Sequence, residues 1–225
     1  MRINKFVAQA TGLSRRAADD AIVAGKVTVN NQPPLIGQDV DATDIILLDG
    51  RRLEKPPSAT TIILNKPIGY VCSRRGQGSK TVYELLPLEL HKLKPVGRLD
   101  KDSSGLLLLT DDGDLANNLT HPSFSKQKTY EVELDKPLTP SHWEQITRKG
   151  VRLEDGPSQF DELRWLDKND GLKWMVTMSE GRNRQIRRTF AALGYEIVKL
   201  HRTHFGGYQL GALKVGHYRL LEPEA

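Results

Sequence analysis

The chain of 225 residues contains one cysteine, Cys72, so no internal disulfide can staple it. That scarcity fits a reducing cytoplasm. No apolar stretch approaches the ~18–20 residues of a membrane span. The opening MRINKFVAQATGL lacks an uninterrupted apolar core and a small-residue cleavage site, so a secretory signal is not expected. No Cys/His cluster has zinc-ligand spacing, and neither a GxGxxG nor a P-loop pattern occurs, so nothing requires a nucleotide cofactor. Internal repeats and low-complexity tracts are also missing.

What remains is an ordinary globular composition, 38% hydrophobic and 27% charged, with the charges mixed in sign. The length suits one large domain or a small one followed by a medium one. The net charge of +5, with a pI near 9.3, is a mild lean toward polyanions. Its distribution says more. Residues 1–30 carry five Lys/Arg against two Asp/Glu, residues 180–219 carry eight against two, and residues 31–58 are acidic, three against five. Separated basic patches suit a long anionic partner such as RNA, touched at two places.

The stretch LEKPPSATT, residues 53–61, reads as a linker, because Pro56 and Pro57 block helix. Before it, residues 1–58 read as a small α+β module. Ser14 caps a helix running to about Ala24 and stopped by Gly25, with Ala17, Ala18, Ala21 and Ile22 on its apolar face. KVTVNNQP is a strand into a turn, and DIILLDGRRL a strand, a turn and a second short strand. Arg15 and Arg16 sit in the first helical turn, where the macrodipole disfavours cations by ~0.3–1 kcal/mol each. Solvated surface arginines and arginines awaiting an anionic partner both fit that placement.

Residues 59–225 mix strands and helices. TTIILNKPIGYVCS is a strand broken at Lys66–Pro67, KTYEVEL (128–134) an alternating half-buried strand, SHWEQITRKG a helix stopped by Gly150, and LKWMVTMSEG another strand. NRQIRRTFAALG (183–194) is a helix, and further strands are expected in EIVKLHR and near the C-terminus. Strands and helices do not alternate regularly, which predicts a mixed, largely antiparallel sheet flanked by helices.

GRLDKDSSGLLLLTDDGD (97–114) is the segment that asks for chemistry. Asp100, Asp102, Ser104, Gly105 and Asp111 partly match a calcium loop, but Pro95 and Gly97 occupy the place of the entering helix, and the last position lacks the bidentate Glu. A tight turn and a catalytic carboxylate at the edge of a buried strand both remain open locally. An ionised, oriented carboxylate wants a nearby cation. On the helix 183–194, Ile186, Phe190 and Leu193 share one face, Arg184 and Arg188 point away, and Arg187 lies on the flank, able to border the core and reach a pocket. Arg182, Arg184, Arg187 and Arg188 crowd the helix start against its dipole, an excess that needs phosphates or an internal carboxylate.

GRLDKDSSGLLLLT, KTYEV and EGRNRQIRR resemble, in that order and at similar spacing, the signature segments of the bacterial ribosomal-RNA pseudouridine synthases that act on small- or large-subunit RNA. ILNKPIGYVCS resembles the opening of their catalytic domain, and MRINKFVAQATGLSRRAADDAIVAGKVTVNNQ the S4 RNA-binding domain ahead of it. The resemblance covers nearly the whole chain. It implies an α+β architecture, an S4-like domain at 1–58 and a catalytic domain at 59–225. It further implies isomerisation of uridine to pseudouridine without cofactor or metal. The partner would be 16S or 23S ribosomal RNA or a pre-ribosomal particle, met in the cytoplasm by a monomer with no membrane involved.

Residue by residue, Asp100 matches the catalytic aspartate and Tyr130 the tyrosine that stacks on the target base and is a candidate for moving the carbon-5 proton. Arg187 matches the basic residue that pairs with the aspartate, and Arg98 the arginine able to fill the space the base leaves. Lys66 and Pro67 match the opening motif as scaffolding. Arg98, Lys66, Arg15, Arg16, Arg182, Arg184 and Arg188 are the expected substrate or RNA contacts. In HRTHFGG, His204 stands where relatives often carry a second arginine. Cys72 reads as a small buried residue, His121 as a structural helix end, and Trp143, Trp165 and Trp174 as core. The rival readings are a binding protein that has lost the chemistry and a carboxylate–metal RNA hydrolase using Asp100 and Asp102.

Overall fold

The computed structural model describes residues 1–41, 43–54, 59–167 and 171–221. It divides into two compact units, Met1–Ser58 and Ala59–Ala225. Residues 55–58 of the expected linker lie outside the described residues.

In the first unit, helices α1 (Ile3–Thr11) and α2 (Arg15–Val23) pack beside a small antiparallel sheet of β1 (Val27–Val29), β2 (Ile46–Leu48) and β3 (Arg51–Arg52). Ser14 caps α2 as expected, its hydroxyl accepting from the Ala17 N–H at 3.1 Å. Helix α1 was not legible in the sequence, because Arg2 at its N-cap offers no side-chain hydrogen bond. Ile3, Phe6, Val7, Ala18, Ile22, Val27, Val29, Val40 and Ile46 form this unit's own core.

Among the described residues, the second unit is built on a sheet of nine strands. They are β4 (Thr61–Lys66), β5 (Lys94–Pro95), β6 (Ser104–Thr110), β7 (Lys128–Leu134), β10 (Glu162–Trp165), β11 (Lys173–Met178), β12 (Ile197–Phe205), β13 (Tyr208–Gln209) and β14 (Tyr218–Leu221), while β8 (Val151–Leu153) and β9 (Gly156–Ser158) form a separate hairpin. The main order is β10-β11-β7-β12-β6-β4-β14, antiparallel except where β12 runs parallel to β6. Helices α3 (Gly113–Thr120), α4 (Pro140–Glu144, continued by one wide turn to Lys149) and α5 (Gln185–Ala191) complete it.

The run Leu106–Leu109 now has its reason. Strand β6 is central and covered on both faces, so alternation gives way to continuous leucine. Leu107 and Leu109 join Ile62, Leu64, Val132 and Leu134 in one core, and Leu106 and Leu108 join Ile63, Val96 and Phe205 in another.

The expected mixed, largely antiparallel sheet is what the chain forms. One expectation fails: Trp165 is 53% exposed. It ends β10, an edge strand, and leans on the buried Trp174 with ring centroids 5.3 Å apart.

Gly105 is required where β6 meets β12. Its φ is +106°, and a Cβ there would lie 2.2 Å from the Arg202 carbonyl oxygen and 2.6 Å from the Arg202 nitrogen. Both are backbone atoms that cannot step aside. Gly105→Ala is expected to destabilise the fold by at least about 3 kcal/mol, read as a lowered urea midpoint; a variant within about 1 kcal/mol of the parent would contradict this close approach.

Candidate active site

Pairing across the sheet puts Lys66 of β4 opposite Gly105 of β6, Gly105 opposite Arg202 of β12, Arg202 opposite Tyr130 of β7, and Tyr130 opposite Val176 of β11. Directly paired residues project from the same face. Two residues further into each strand, that face is apolar core: Leu64, Leu107, Leu200 and Val132. One row of the sheet therefore converts a hydrophobic face into a polar floor.

The loop Leu99–Ser103 lies at this row because Lys66 pulls it there. The Lys66 side chain is fully buried, and its Nζ donates to the carbonyl oxygens of Asp100 at 2.9 Å, Ser103 at 2.7 Å and Pro67 at 3.1 Å. Burial pushes this ammonium below its ordinary value, opposed by the pull of Cys72, Asp100 and Asp102. The Cys72 thiol also meets the loop, contacting Leu99 N and O at 3.4 Å. Half-buried and pushed up by desolvation, it behaves as the packing residue expected.

Asp100, Tyr130, Arg98, Arg184 and Arg187 all line one cleft of about 1240 Å³, with Lys128 and Arg202 in the same wall. Tyr130 is 8% exposed, its ring set among the last core residues of β7. The cleft exceeds the several hundred Å³ that suit one small ligand. It runs on past Lys149, Gln159 and Arg182.

The expected pairing of Arg187 with Asp100 is corrected by the geometry. Arg184 stands 3.5 Å from the Asp100 carboxylate. Arg187 donates instead to the carbonyl oxygens of Asp102 at 2.8 Å and Ile197 at 3.1 Å, with its Nε 3.3 Å from the Asp102 carboxylate. Its planar fork is spent on tying α5 to the loop and to β12. Arg184 also grips Asp102 with both terminal nitrogens, at 3.0 and 2.8 Å. It does so from a left-handed backbone conformation, φ 46°, at the N-cap of α5, so the helix begins later than the pattern at 183 suggested. These hydrogen bonds hold the Asp102 carboxyl below its ordinary value of 3.8. The sign follows: the pair's support is present above that value and fades as pH falls through the lowered one.

The arginine excess at the start of α5 is met by internal carboxylates. Asp155 takes a bidentate pair from Arg188 at 3.0 and 2.7 Å and a bond from Arg182 at 2.9 Å. Arg182 also donates to the carbonyl oxygens of Asp155, Gly156 and Pro157. Both arginines thus clamp the β8–β9 hairpin. In the first unit Arg15 and Arg16 are exposed, Arg15 touching Asn4 at 3.3 Å. His204 bonds its neighbour Thr203 and does not line the cleft. His121 ends α3, caps the following turn and borders the cleft.

Sequence reasoning missed Arg202. A signal was present: Arg202 and Lys66 occupy the inward phase of their strands, two residues beyond Leu200 and Leu64. Among the described residues no group of three or more His, Cys, Asp or Glu is placed to hold a metal ion, and no helix is long and apolar enough to cross a membrane.

One cleft thus gathers a carboxylate, a buried aromatic ring and several cations, and it is larger than a single small ligand needs. Residues 60–192 match the RNA pseudouridylate synthase family, and residues 1–46 match the S4 domain. The chain is 40% identical to ribosomal small subunit pseudouridine synthase A of Pasteurella multocida, over 100% of its own length and 97% of the relative's. It is also 40% identical to ribosomal large subunit pseudouridine synthase B of Xylella fastidiosa (strain Temecula1), over 93% of its own length but 46% of that longer relative. A crystal structure of a pseudouridylate synthase superposes with a TM-score of 0.69 at 35% identity, covering 99% of this chain and 96% of that one. The chain belongs to the RNA pseudouridylate synthase family and carries an S4 domain ahead of the family's enzymatic domain.

Asp102 is the counter-charge for two cleft arginines, Arg184 and Arg187. Asp102→Asn is expected to free the Arg184 fork for phosphate, tighten RNA binding and steepen the slope of log K against log salt by about one contact. Filter binding across a salt series reads this; an unchanged slope would show that Arg184 stays out of reach of the RNA.

Proposed function

We propose that the chain converts a uridine of ribosomal RNA to pseudouridine without cofactor or metal, with Asp100 as nucleophile. The observation that carries this reading is the single cleft holding Asp100, Tyr130 and the cations around them. The named relatives' action on small- and large-subunit ribosomal RNA supports the substrate class. The cytoplasm, a monomeric enzyme and a 16S or 23S substrate, free or in a pre-ribosomal particle, go with that assignment.

Uridine and pseudouridine are isomers, so the reaction balances with no oxidant, reductant or energy source. The target base is first flipped from its stack at a cost of a few kcal/mol, offset by phosphate contacts. In the first unit, the exposed Arg15 and Arg16 supply such contacts. At the rim of the cleft the exposed Arg98 fills the gap the base leaves. Tyr130 offers its ring as a stacking face, worth ~1–3 kcal/mol. Asp100 then bonds to the anomeric carbon or to uracil carbon 6. The sugar–N1 bond breaks, the base turns, carbon 5 joins the sugar, and Asp100 leaves. One proton departs carbon 5, with Tyr130 as the candidate to move it, and one is gained at N1. Lys66, Arg184 and Arg187 hold the loop and its carboxylates still throughout.

The test uses ribosomal RNA carrying tritium at uracil carbon 5, in chelator. The parent chain is expected to release tritium to water. Asp100→Asn is expected to release none while binding RNA with nearly unchanged affinity, because phosphate contacts dominate binding. Turnover retained in Asp100→Asn, or strand cleavage that depends on divalent ions, would overturn the assignment.

A further inference from the structure

Arg202 is a buried cation whose charge no neighbour cancels. It is 2% exposed, its Nε donates to the Leu106 carbonyl oxygen at 2.8 Å, and one terminal nitrogen, buried like the rest, has no hydrogen-bond partner. No carboxylate lies within ion-pair distance of it among the described residues, whereas Arg182, Arg184 and Arg187 in the same cleft each have one. Its guanidinium lies 4.7 Å from the centre of the Phe205 ring, and Lys128 Nζ lies 5.7 Å from the same ring. Burial and the repulsion of Arg202 both push the Lys128 ammonium below its ordinary value. Two cations thus share one aromatic ring in the cleft wall, and an isolated buried charge is unfavourable unless something compensates it.

The position of Arg202 says what compensates it. It is the direct cross-strand partner of Tyr130, so their Cβ atoms are about 4.5–5.5 Å apart. The uncancelled charge therefore belongs to the strand next to the ring on which the flipped base would stack, in the same cleft, whereas Arg184 faces the Asp100 carboxylate.

We infer, building on the isomerisation proposed above, that Arg202 supplies the positive field that stabilises negative charge on the uracil ring once Asp100 has attacked. Asp100 carries a full charge before attack and loses it on forming its covalent bond. If the bond forms at the anomeric carbon, the electron pair of the breaking sugar–N1 bond passes to N1 and spreads to O2 and O4. If it forms at carbon 6, the pair of the carbon 5–carbon 6 double bond passes toward O4. Either way one unit of charge leaves the carboxylate and arrives on the uracil ring, in the cleft that Arg202 lines. The ring is neutral in the bound substrate, so the field acts on the transition state and not on ground-state binding. A phosphate partner for Arg202 would do the reverse, strengthening binding and leaving the chemical step alone.

Single-turnover tritium release and RNA affinity, measured on the full chain, separate these. Arg202→Met is expected to slow the chemical step roughly a hundredfold and to leave Kd within about twofold. Arg202→Lys is expected to recover much of the rate. Because a buried substitution can unfold the chain, Arg202→Gln serves as well: it keeps a donor for Leu106 without the charge, and a slow Gln variant beside a fast Lys variant supports the inference. A variant that binds RNA more weakly but reacts at the parental rate when saturated would overturn it in favour of phosphate. Equal saturated rates in the Lys and Gln variants would overturn it in favour of packing alone. Failure of the parent chain to release tritium would instead remove the proposed isomerisation itself.

Discussion

The ammonium of Lys66 on the backbone oxygens of Asp100 and Ser103 is the contact on which the site depends. A lysine with no solvent exposure is expensive. This one is tolerated because its three donors all find carbonyl oxygens, those of Pro67, Asp100 and Ser103. Each such group left unpaired costs about 1–3 kcal/mol. The chain runs from β4 through Pro67, and from Leu99 into β6, past the same nitrogen. The loop bearing the carboxylate is thereby fixed to two adjacent strands of a rigid sheet, the kind of support a reacting group needs.

Charge is arranged around that loop in two tiers. Nearest the cleft, Arg184 and Arg187 meet Asp100 and Asp102. Further out, Arg182 and Arg188 meet Asp155 and brace the β8–β9 hairpin. The start of α5 would by itself repel this many guanidinium groups. Here the carboxylates reverse the balance, and the helix is held to the loop by the same contacts. In the cleft wall lies Arg202, a buried guanidinium with no acid within ion-pair distance among the described residues, where the proposed chemistry would generate negative charge.

Much of this was legible in the sequence because it depends on phase and spacing. The alternation of KTYEVEL placed Tyr130 inward with Val132 and Leu134, and the four leucines marked a strand buried on both sides. Other features were hidden for physical reasons. Helix α1 has no capping side chain to announce it. Trp165 is apolar but ends an edge strand, and nothing local says which strand lies at the edge. Spacing could not tell which of Asp100 and Asp102 would meet Arg187, because the two acids share one loop and the choice is made by where α5 docks. Arg202 escaped notice as an arginine in a basic stretch, although its inward phase set it apart.

Amide hydrogen exchange compared between the parent chain and Lys66→Met tests the dependence on Lys66 most directly. The account expects amides of residues 98–104 to exchange much faster in the variant, while β7 and β11, remote from the lost nitrogen, keep their protection. Equal protection of that loop with and without the lysine would contradict it and leave Asp100 held by some other contact.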